Sequence, residues 1–379
     1  MLRIAIVAGE PSGDILAAKL IHQLKLQYSG NIEFFGIGGD KMAQEGFISY
    51  HTMDTLSIGG YGLDVILSIP KILVVRSKII KQIIAFKPDV FIGVDAPDFN
   101  FYVEKKLKQA GIKTVHYVSP TIWAWRYKRI FKIKKSTDLM LCIFPMEEAL
   151  YAKEQIRAKF VGHLLADEIE LNVDTNSYKR NLDLSGIVFS VLVGSRKSEI
   201  QSLGLIFIEA CNLISQSIPG VTFLFPVVNQ YGYDLLTQTL NSAEVNFKYK
   251  LLINQTREAI CASDMVLAKS GTVTLEVALC KKPLIISYKV SKFTEWLLKK
   301  KLYIKHVGLP NILLNELVAE ELLQDVATPQ NLARHFIELY QNKDRQQYMI
   351  DKFYQLHNML KNNASSKAAQ AVLELNSTF

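Results

Sequence analysis

The 379-residue chain has four cysteines, Cys142, Cys211, Cys261 and Cys280, and none of them forms a CxxC pair. That spacing supplies neither a zinc ribbon nor a disulfide framework. Three of the four sit inside apolar runs, as small buried hydrophobes in a reducing compartment would. No stretch reaches the roughly 18 uncharged apolar residues a spanning helix needs. No secretory leader is expected, because the first apolar run passes directly into Gly9-Glu10-Pro11-Ser12-Gly13-Asp14 and reads as a strand. GxxxxGK[ST] and GxSxG are both absent, which removes the P-loop and the nucleophile elbow. Gly36-Ile37-Gly38-Gly39 opens like a dinucleotide fingerprint, but Lys41 stands where its last glycine belongs. No solenoid repeat, low-complexity tract or metal-ligand spacing is visible. The expectation is a cytoplasmic protein without metal or cofactor, at most peripheral to the inner face of the cytoplasmic membrane.

What is present is ordinary in bulk: 49% hydrophobic and 21% charged residues, in a length suited to two domains. The net charge of +8 favours polyanionic partners without choosing among nucleic acid, anionic lipid and phosphorylated small molecules. Short apolar runs at 2–8, 33–37, 89–94, 112–118 and 138–143 alternate with longer amphipathic ones. A second series follows at 187–193, 221–227, 264–268 and 283–287. Nearly continuous apolar runs suit strands covered on both faces, so the class is α/β with parallel, doubly wound sheets. Residues 4–14 and 188–199 repeat one design, strand then glycine turn then helix, which argues for two such domains. The expected division is 1–166 and 167–344, with C-terminal helices from about 345 to 379 packing back on the first.

Six segments carry polar groups suited to chemistry. Glu10 and Ser12 lie in the turn after the first strand, where ligands bind in open α/β sheets; Ser12 or Asp14 could equally cap the helix. Asp95 and Asp98 follow the strand at 89–94, placed for proton abstraction or hydroxyl binding, or for capping. Trp123, Trp125 and Arg126 open a run with six basic residues between Arg126 and Lys135 and no acid. Such a run fits a sugar, an acyl chain, a phosphate, nucleic acid or a headgroup-level membrane contact, with core aromatics as the plain alternative. Residues 61–84, with Val65, Leu67, Ile72 and Leu73, read either as core helix or as an interfacial one. Gly194-Ser195-Arg196 opens the second domain at a helix N-terminus suited to a diphosphate. Ser270-Gly271-Thr272 and Glu276 offer a second phosphate turn and a carboxylate for ribose, or a capping arrangement.

In order along the chain, GEPSGD (9–14), DAPDFN (95–100), HYVSPTIWAWR (116–126), GSR (194–196), SGTVTLE (270–276) and LPN (309–311) resemble the lipid-A-disaccharide synthase family over essentially its whole length. Two positions depart from the pattern: Val193 before Gly194 and Leu164 after His163 stand where proline is expected. The resemblance implies a GT-B fold, two Rossmann-like domains facing across a cleft. It implies inverting transfer of a diacylglucosamine unit from UDP to diacylglucosamine 1-phosphate, through a β-1′,6 linkage, with a UDP-linked donor and no metal. On that reading Asp95 is the base, with Asp98 and Glu10 as its rivals. Ser195, Arg196 and the 270–272 turn hold the diphosphate, Glu276 the ribose, and Asn311 lines the cleft. Burying one acyl CH₂ contributes ~0.8 kcal/mol, so the enzyme should dock on the bilayer rather than draw whole chains into water. The basic stretches 126–135 and 289–305, including Lys299, Lys300 and Lys301, would join 61–84 in that contact. The rival readings are another UDP-sugar GT-B enzyme, an epimerase or a peptidoglycan glycosyltransferase, and a basic nucleic-acid-binding protein; nucleic acid is not the expected partner.

Overall fold

The computed structural model describes residues 1–53, 63–290, 295 and 303–377, without the side chains of 52, 63–69 and 71. The chain forms two compact units, Met1–Asp167 with Leu360–Phe379, and Glu168–Met359.

The first unit holds β1 (Leu2–Ala8), β2 (Ile32–Gly38), β3 (Ile48–Thr52), β4 (Val90–Val94), β5 (Lys113–Tyr117), β6 (Leu139–Cys142) and β7 (Ala158–Phe160), in the order β3-β2-β1-β4-β5-β6-β7. Every described pairing in it is parallel. Alternate residues of a strand face opposite sides. Ile4, Ile6 and Ala8 accordingly join one core with helices Pro11–Gln27 and Ala364–Ser377. Ala5 and Val7 join the other, with helices Leu63–Phe86 and Pro97–Gln109. Both faces are apolar, and this is why these strands read as unbroken hydrophobic runs.

The second unit repeats the plan with β8 (Val188–Leu192), β9 (Thr222–Val227), β10 (Lys248–Ile253), β11 (Met265–Lys269), β12 (Leu284–Tyr288) and β13 (Glu320–Leu323), ordered β10-β9-β8-β11-β12-β13 and parallel throughout. All nine strands expected from the sequence are present. The four that were not foreseen, β3, β7, β10 and β13, are the four sheet edges.

The sequence reading began the C-terminal return at about 345; the structure places it at Leu360. Helix Lys343–Leu360 packs on the second unit, where Lys352 Nζ meets Glu316 at 2.6 Å and the Tyr354 hydroxyl donates to Asn172 at 2.8 Å. Asp167 ties the returning chain down. Its carboxylate accepts the N–H groups of Asn362, Asn363 and Ala364 at 3.0, 3.0 and 2.6 Å. Gly162 sits beside this junction at φ +103, where a Cβ would lie 2.6 Å from Asn362 Cβ, so glycine is required there.

Candidate functional site

In an open α/β sheet the ligand crevice lies outside the carboxyl ends of the strands, where strand order reverses. In the first unit that point falls between β1 and β4, whose terminal residues Ala8 and Val94 are register partners. The turns that leave these strands carry Glu10 and Asp95. The fold therefore places side by side two turns far apart in sequence.

Glu10 and Ser12 are exposed at the start of helix Pro11–Gln27, and the Glu10 side chain at the N-cap makes no capping hydrogen bond. Asp14 is buried and serves the next helix instead, accepting N–H bonds from Gly39, Lys41 and Met42 at 2.9–3.1 Å.

Asp95 stands at φ +53 and Ala96 at φ +42. The Asp95 N–H donates to Tyr117 O at 2.9 Å, and its carbonyl accepts the Asn100 side-chain amide at 2.7 Å. Asn100, fully buried, thus locks the turn from below. Asp95 lines a cavity of about 250 Å³ with Val118, Ser119, Trp125, Arg126 and Arg129 among its walls. Val118 (φ +81) and Arg126 (φ +56) share the left-handed region with Asp95. For a β-branched residue that is an outlier, and such strain concentrates at functional sites. Asp98 is 86% exposed and ion-paired to Arg129, so it positions an arginine at the cavity rather than reaching into it. Arg126 lies over the Trp125 ring, 4.0 Å from its centroid.

Trp123 was expected at a lipid surface. It is half-buried, and its indole N–H donates to Glu147 at 3.1 Å, which makes it part of the frame behind the site. Burial pushes the Glu147 carboxyl up to about 8, against the N–H of Phe144, the Trp123 indole and the Ser119 hydroxyl. Burial also holds the nearby His163 imidazole down at about 4, despite the opposing charge of Asp167. The unfolded imidazole titrates near 6.5. Between pH 6.5 and 4 the unfolded chain therefore takes up a proton that the folded one refuses. The stability His163 contributes is complete above pH 6.5 and is lost as pH falls through this window, by roughly 3 kcal/mol. His163→Asn, whose Oδ1 can still accept the Leu165 N–H that His163 Nδ1 accepts at 3.2 Å, is expected to flatten this acid limb in thermal melts recorded from pH 7 to 4. An unchanged limb would refute it.

In the second unit the order reverses between β8 and β11, and the two turns leaving them are Gly194–Arg196 and Ser270–Thr272. The sequence reading gave the N–H groups of Ser195 and Arg196 to a diphosphate. In the structure they donate to Glu199 Oε2 at 3.0 and 3.2 Å, so an internal carboxylate already fills that helix N-terminus. Glu199 also receives Lys269 at 2.8 Å. Burial works to raise its carboxyl, but Lys269 and the two N–H groups outweigh it and hold the pKa below the ordinary value. The Arg196 guanidinium stays 72% exposed, 3.6 Å from Glu199. Gly194 stands at φ +118, and a Cβ there would sit 2.5 Å from Glu199 Oε2. Ser270 spends its hydroxyl on Val307 O at 2.8 Å, while Gly271 and Thr272 lie outward of it, Thr272 exposed. Glu276 is held by Arg257 at 2.9 Å, and Arg257 reaches Glu168 at 3.7 Å.

Asn311 is a correction. It is fully buried, its amide donating to Ala319 O and Glu321 at 2.6 and 2.8 Å and its oxygen accepting from Val318 and Ala319 at 3.0 and 2.9 Å. With all its bonding used internally it shapes the 307–321 loop and has nothing left for a ligand. Glu199, Lys269 and Arg257 are the residues the sequence reading passed over, while Arg129 was read only as part of the basic stretch 126–135. Of the three, only Glu199 had a local signal, its place three residues after Arg196 in a capping-box spacing.

Of the proposed membrane contacts, Ile72 packs against the first unit's core, whereas Leu73 is exposed, as is its neighbour Val74. The Val65 and Leu67 side chains and the run Lys299-Lys300-Lys301 lie outside the described residues. Among the described residues no helix is long and apolar enough to cross a membrane, and no group of three or more His, Cys, Asp or Glu could hold a metal ion.

Two Rossmann-like units, each with glycine- and hydroxyl-bearing turns at its switch point, define the GT-B class of fold. Solved structures agree. The chain superposes on the UDP-GlcNAc 2-epimerase of Neisseria meningitidis, bound to UDP-GlcNAc, with a TM-score of 0.66 over 98% of this chain and 100% of that one, at 12% identity. It matches HepE of Anabaena, in complex with UDP and glucose, with a TM-score of 0.57 over 100% of both chains at 14% identity. At such identities the likeness speaks for the fold. The family comes from sequence: the model for lipid-A-disaccharide synthetase matches residues 4–372. The chain is 44% identical to the lipid-A-disaccharide synthase of Paraburkholderia phymatum over 98% of its own length and 96% of that protein's. To that of Dechloromonas aromatica it is 42% identical over 98% of each. The chain belongs to the lipid-A-disaccharide synthase family and is a hexosyltransferase.

Proposed function

We propose that the chain transfers a 2,3-diacylglucosamine unit from UDP to the 6-hydroxyl of 2,3-diacylglucosamine 1-phosphate, with inversion, releasing UDP. The observation that carries the reading is Asp95. It is a carboxylate on a strained turn at the first unit's switch point, opening onto a sugar-sized cavity.

Inversion is one in-line displacement, so it needs a base for the incoming hydroxyl and charge stabilisation for the leaving diphosphate. Asp95 takes the hydroxyl proton, and Glu10 on the adjacent turn binds hydroxyls of the acceptor. The donor belongs to the second unit. There Arg196 and Lys269, organised around Glu199, keep the switch point net positive, and Gly271 and Thr272 provide small and hydroxyl groups for phosphate oxygens. Glu276, oriented by Arg257, accepts from the ribose hydroxyls.

The test is incubation of the purified chain with the UDP-linked donor, with and without acceptor. Acceptor-dependent UDP release together with a disaccharide product is expected. Conversion of the donor alone, as an epimerase would perform, or no product at all, overturns the proposal.

Both proposed substrates carry acyl chains, which supports a reaction at a membrane surface, on this reading the inner face of the cytoplasmic membrane. The exposed pair Leu73 and Val74 on helix Leu63–Phe86 supports this docking. Leu73→Ser with Val74→Ser is expected to weaken co-sedimentation with anionic vesicles severalfold while UDP binding stays intact. Undiminished vesicle binding would remove the helix from this role.

A further inference from the structure

The cavity beside Asp95 carries cationic groups that proton abstraction does not use. Arg126 and Arg129 both line it, together with Trp125, which immediately precedes Arg126. Three features show these arginines to be placed rather than scattered. Arg126 lies over the Trp125 ring, and the Trp125 indole N–H is itself anchored on the Thr121 hydroxyl at 3.1 Å. Arg129 is mostly buried, its side chain 18% exposed, and is held from one side by Asp98. The backbone that carries Arg126 into the wall is in the left-handed region, as are Asp95 and Val118 of the same cavity. Guanidinium groups fixed by a cation–ring contact and by an ion pair suit a phosphate monoester, whose oxygens accept parallel N–H bonds. The volume, about 250 Å³, lies just below the range of drug-sized pockets and suits one sugar unit.

We infer that Arg126 and Arg129 form the anomeric-phosphate subsite of the acceptor, so that this cavity selects a sugar 1-phosphate and sets its hydroxyl against Asp95. The inference rests on the proposed transfer reaction. It moves Arg126 from a membrane contact to substrate recognition. Repulsion between the Asp95 carboxylate and the phosphate dianion sets the ligand's direction: the phosphate lies against the arginines, and a sugar hydroxyl toward Asp95. Asp98 is then a positioning residue that presents Arg129.

The experiment compares kcat/KM for the 1-phosphorylated acceptor and its dephosphorylated counterpart in neutral detergent micelles, for the native chain, Arg126→Gln and Arg129→Gln. The native chain is expected to prefer the phosphorylated acceptor by about 100-fold, the size of one or two charge-assisted contacts. Each variant should lose at least tenfold of that preference, chiefly through acceptor KM, with the donor KM retained. Arg126→Lys, which keeps the charge but not the fork, should recover part of it. Arg126 is exposed, so its variant reports even if Arg129→Gln fails to fold. A preference that persists in Arg126→Gln overturns the inference. So does an equal loss on both acceptors that appears only on anionic vesicles, since the arginines would then serve a lipid headgroup. If the native chain makes no disaccharide from either acceptor, the transfer reaction itself fails, a distinct outcome.

Discussion

Asp95→Asn is expected to lower kcat by about 10²–10⁴, the usual contribution of a general base, while leaving UDP affinity unchanged. Asparagine is the informative replacement. It occupies the left-handed region more readily than other non-glycine residues. Its backbone N–H and carbonyl still bond Tyr117 and the Asn100 amide, so the turn keeps its shape. Only the ability to take a proton is lost. The donor turns belong to the other unit, so UDP titration by calorimetry serves as an internal control. Asp98→Asn should act differently, raising acceptor KM with little change in kcat, because Asp98 faces solvent and Arg129. Near-normal turnover by Asp95→Asn, with the loss appearing at Asp98 or Glu10 instead, would transfer the role of base to that residue.

Asp167→Ala is expected to destabilise the first unit by about 3 kcal/mol, combining the loss of an N-cap with that of charge-assisted bonds to backbone N–H groups. Three N–H donors at the start of helix Ala364–Ser377 share this one carboxylate. Without it they lose their common acceptor, and the positive end of the helix loses its neutralising charge. That helix contributes Ala368, Ala369, Ala371 and Val372 to the core under β1, so loosening its first turn exposes one face of the sheet. In a unit of this size each kcal/mol moves Tm by about 2–4 °C, so a fall of about 6–12 °C should appear in calorimetry or tryptophan fluorescence. Asp167→Asn, which keeps an acceptor oxygen without the charge, should fall between. No shift in Asp167→Ala would mean the returning helix is held by packing alone.

Which strands were legible follows from their place in the sheet. β1, β4, β8 and β11 are covered on both faces, so nearly every residue is apolar and the run stands out. The edges β10 (KYKLLI), β7 (AKF) and β13 (EELL) are short or polar, as unpaired edges must be to resist association, and so resemble loops. The return point at Leu360 was equally hidden. Helix Lys343–Leu360 is amphipathic whichever unit it covers, and only its partners, Glu316, Asn172 and Lys281, decide.

The site divides along the same line. A carboxylate or a glycine-hydroxyl turn directly after a strand is a local pattern, and it located Asp95, Glu10, Gly194 and the 270–272 segment from residue order alone. Family membership rested likewise on ordered motifs that no single turn could have supplied. Which polar groups remain open to a ligand is a matter of through-space partners. Glu199 has taken the Ser195 and Arg196 N–H groups, Glu147 the Trp123 indole, and Glu321 with Ala319 the Asn311 amide, while Asp95 and Arg126 are left facing a cavity. A hydrogen-bonding group can be spent only once, and the neighbour that spends it arrives by folding, from a part of the chain that local order does not specify.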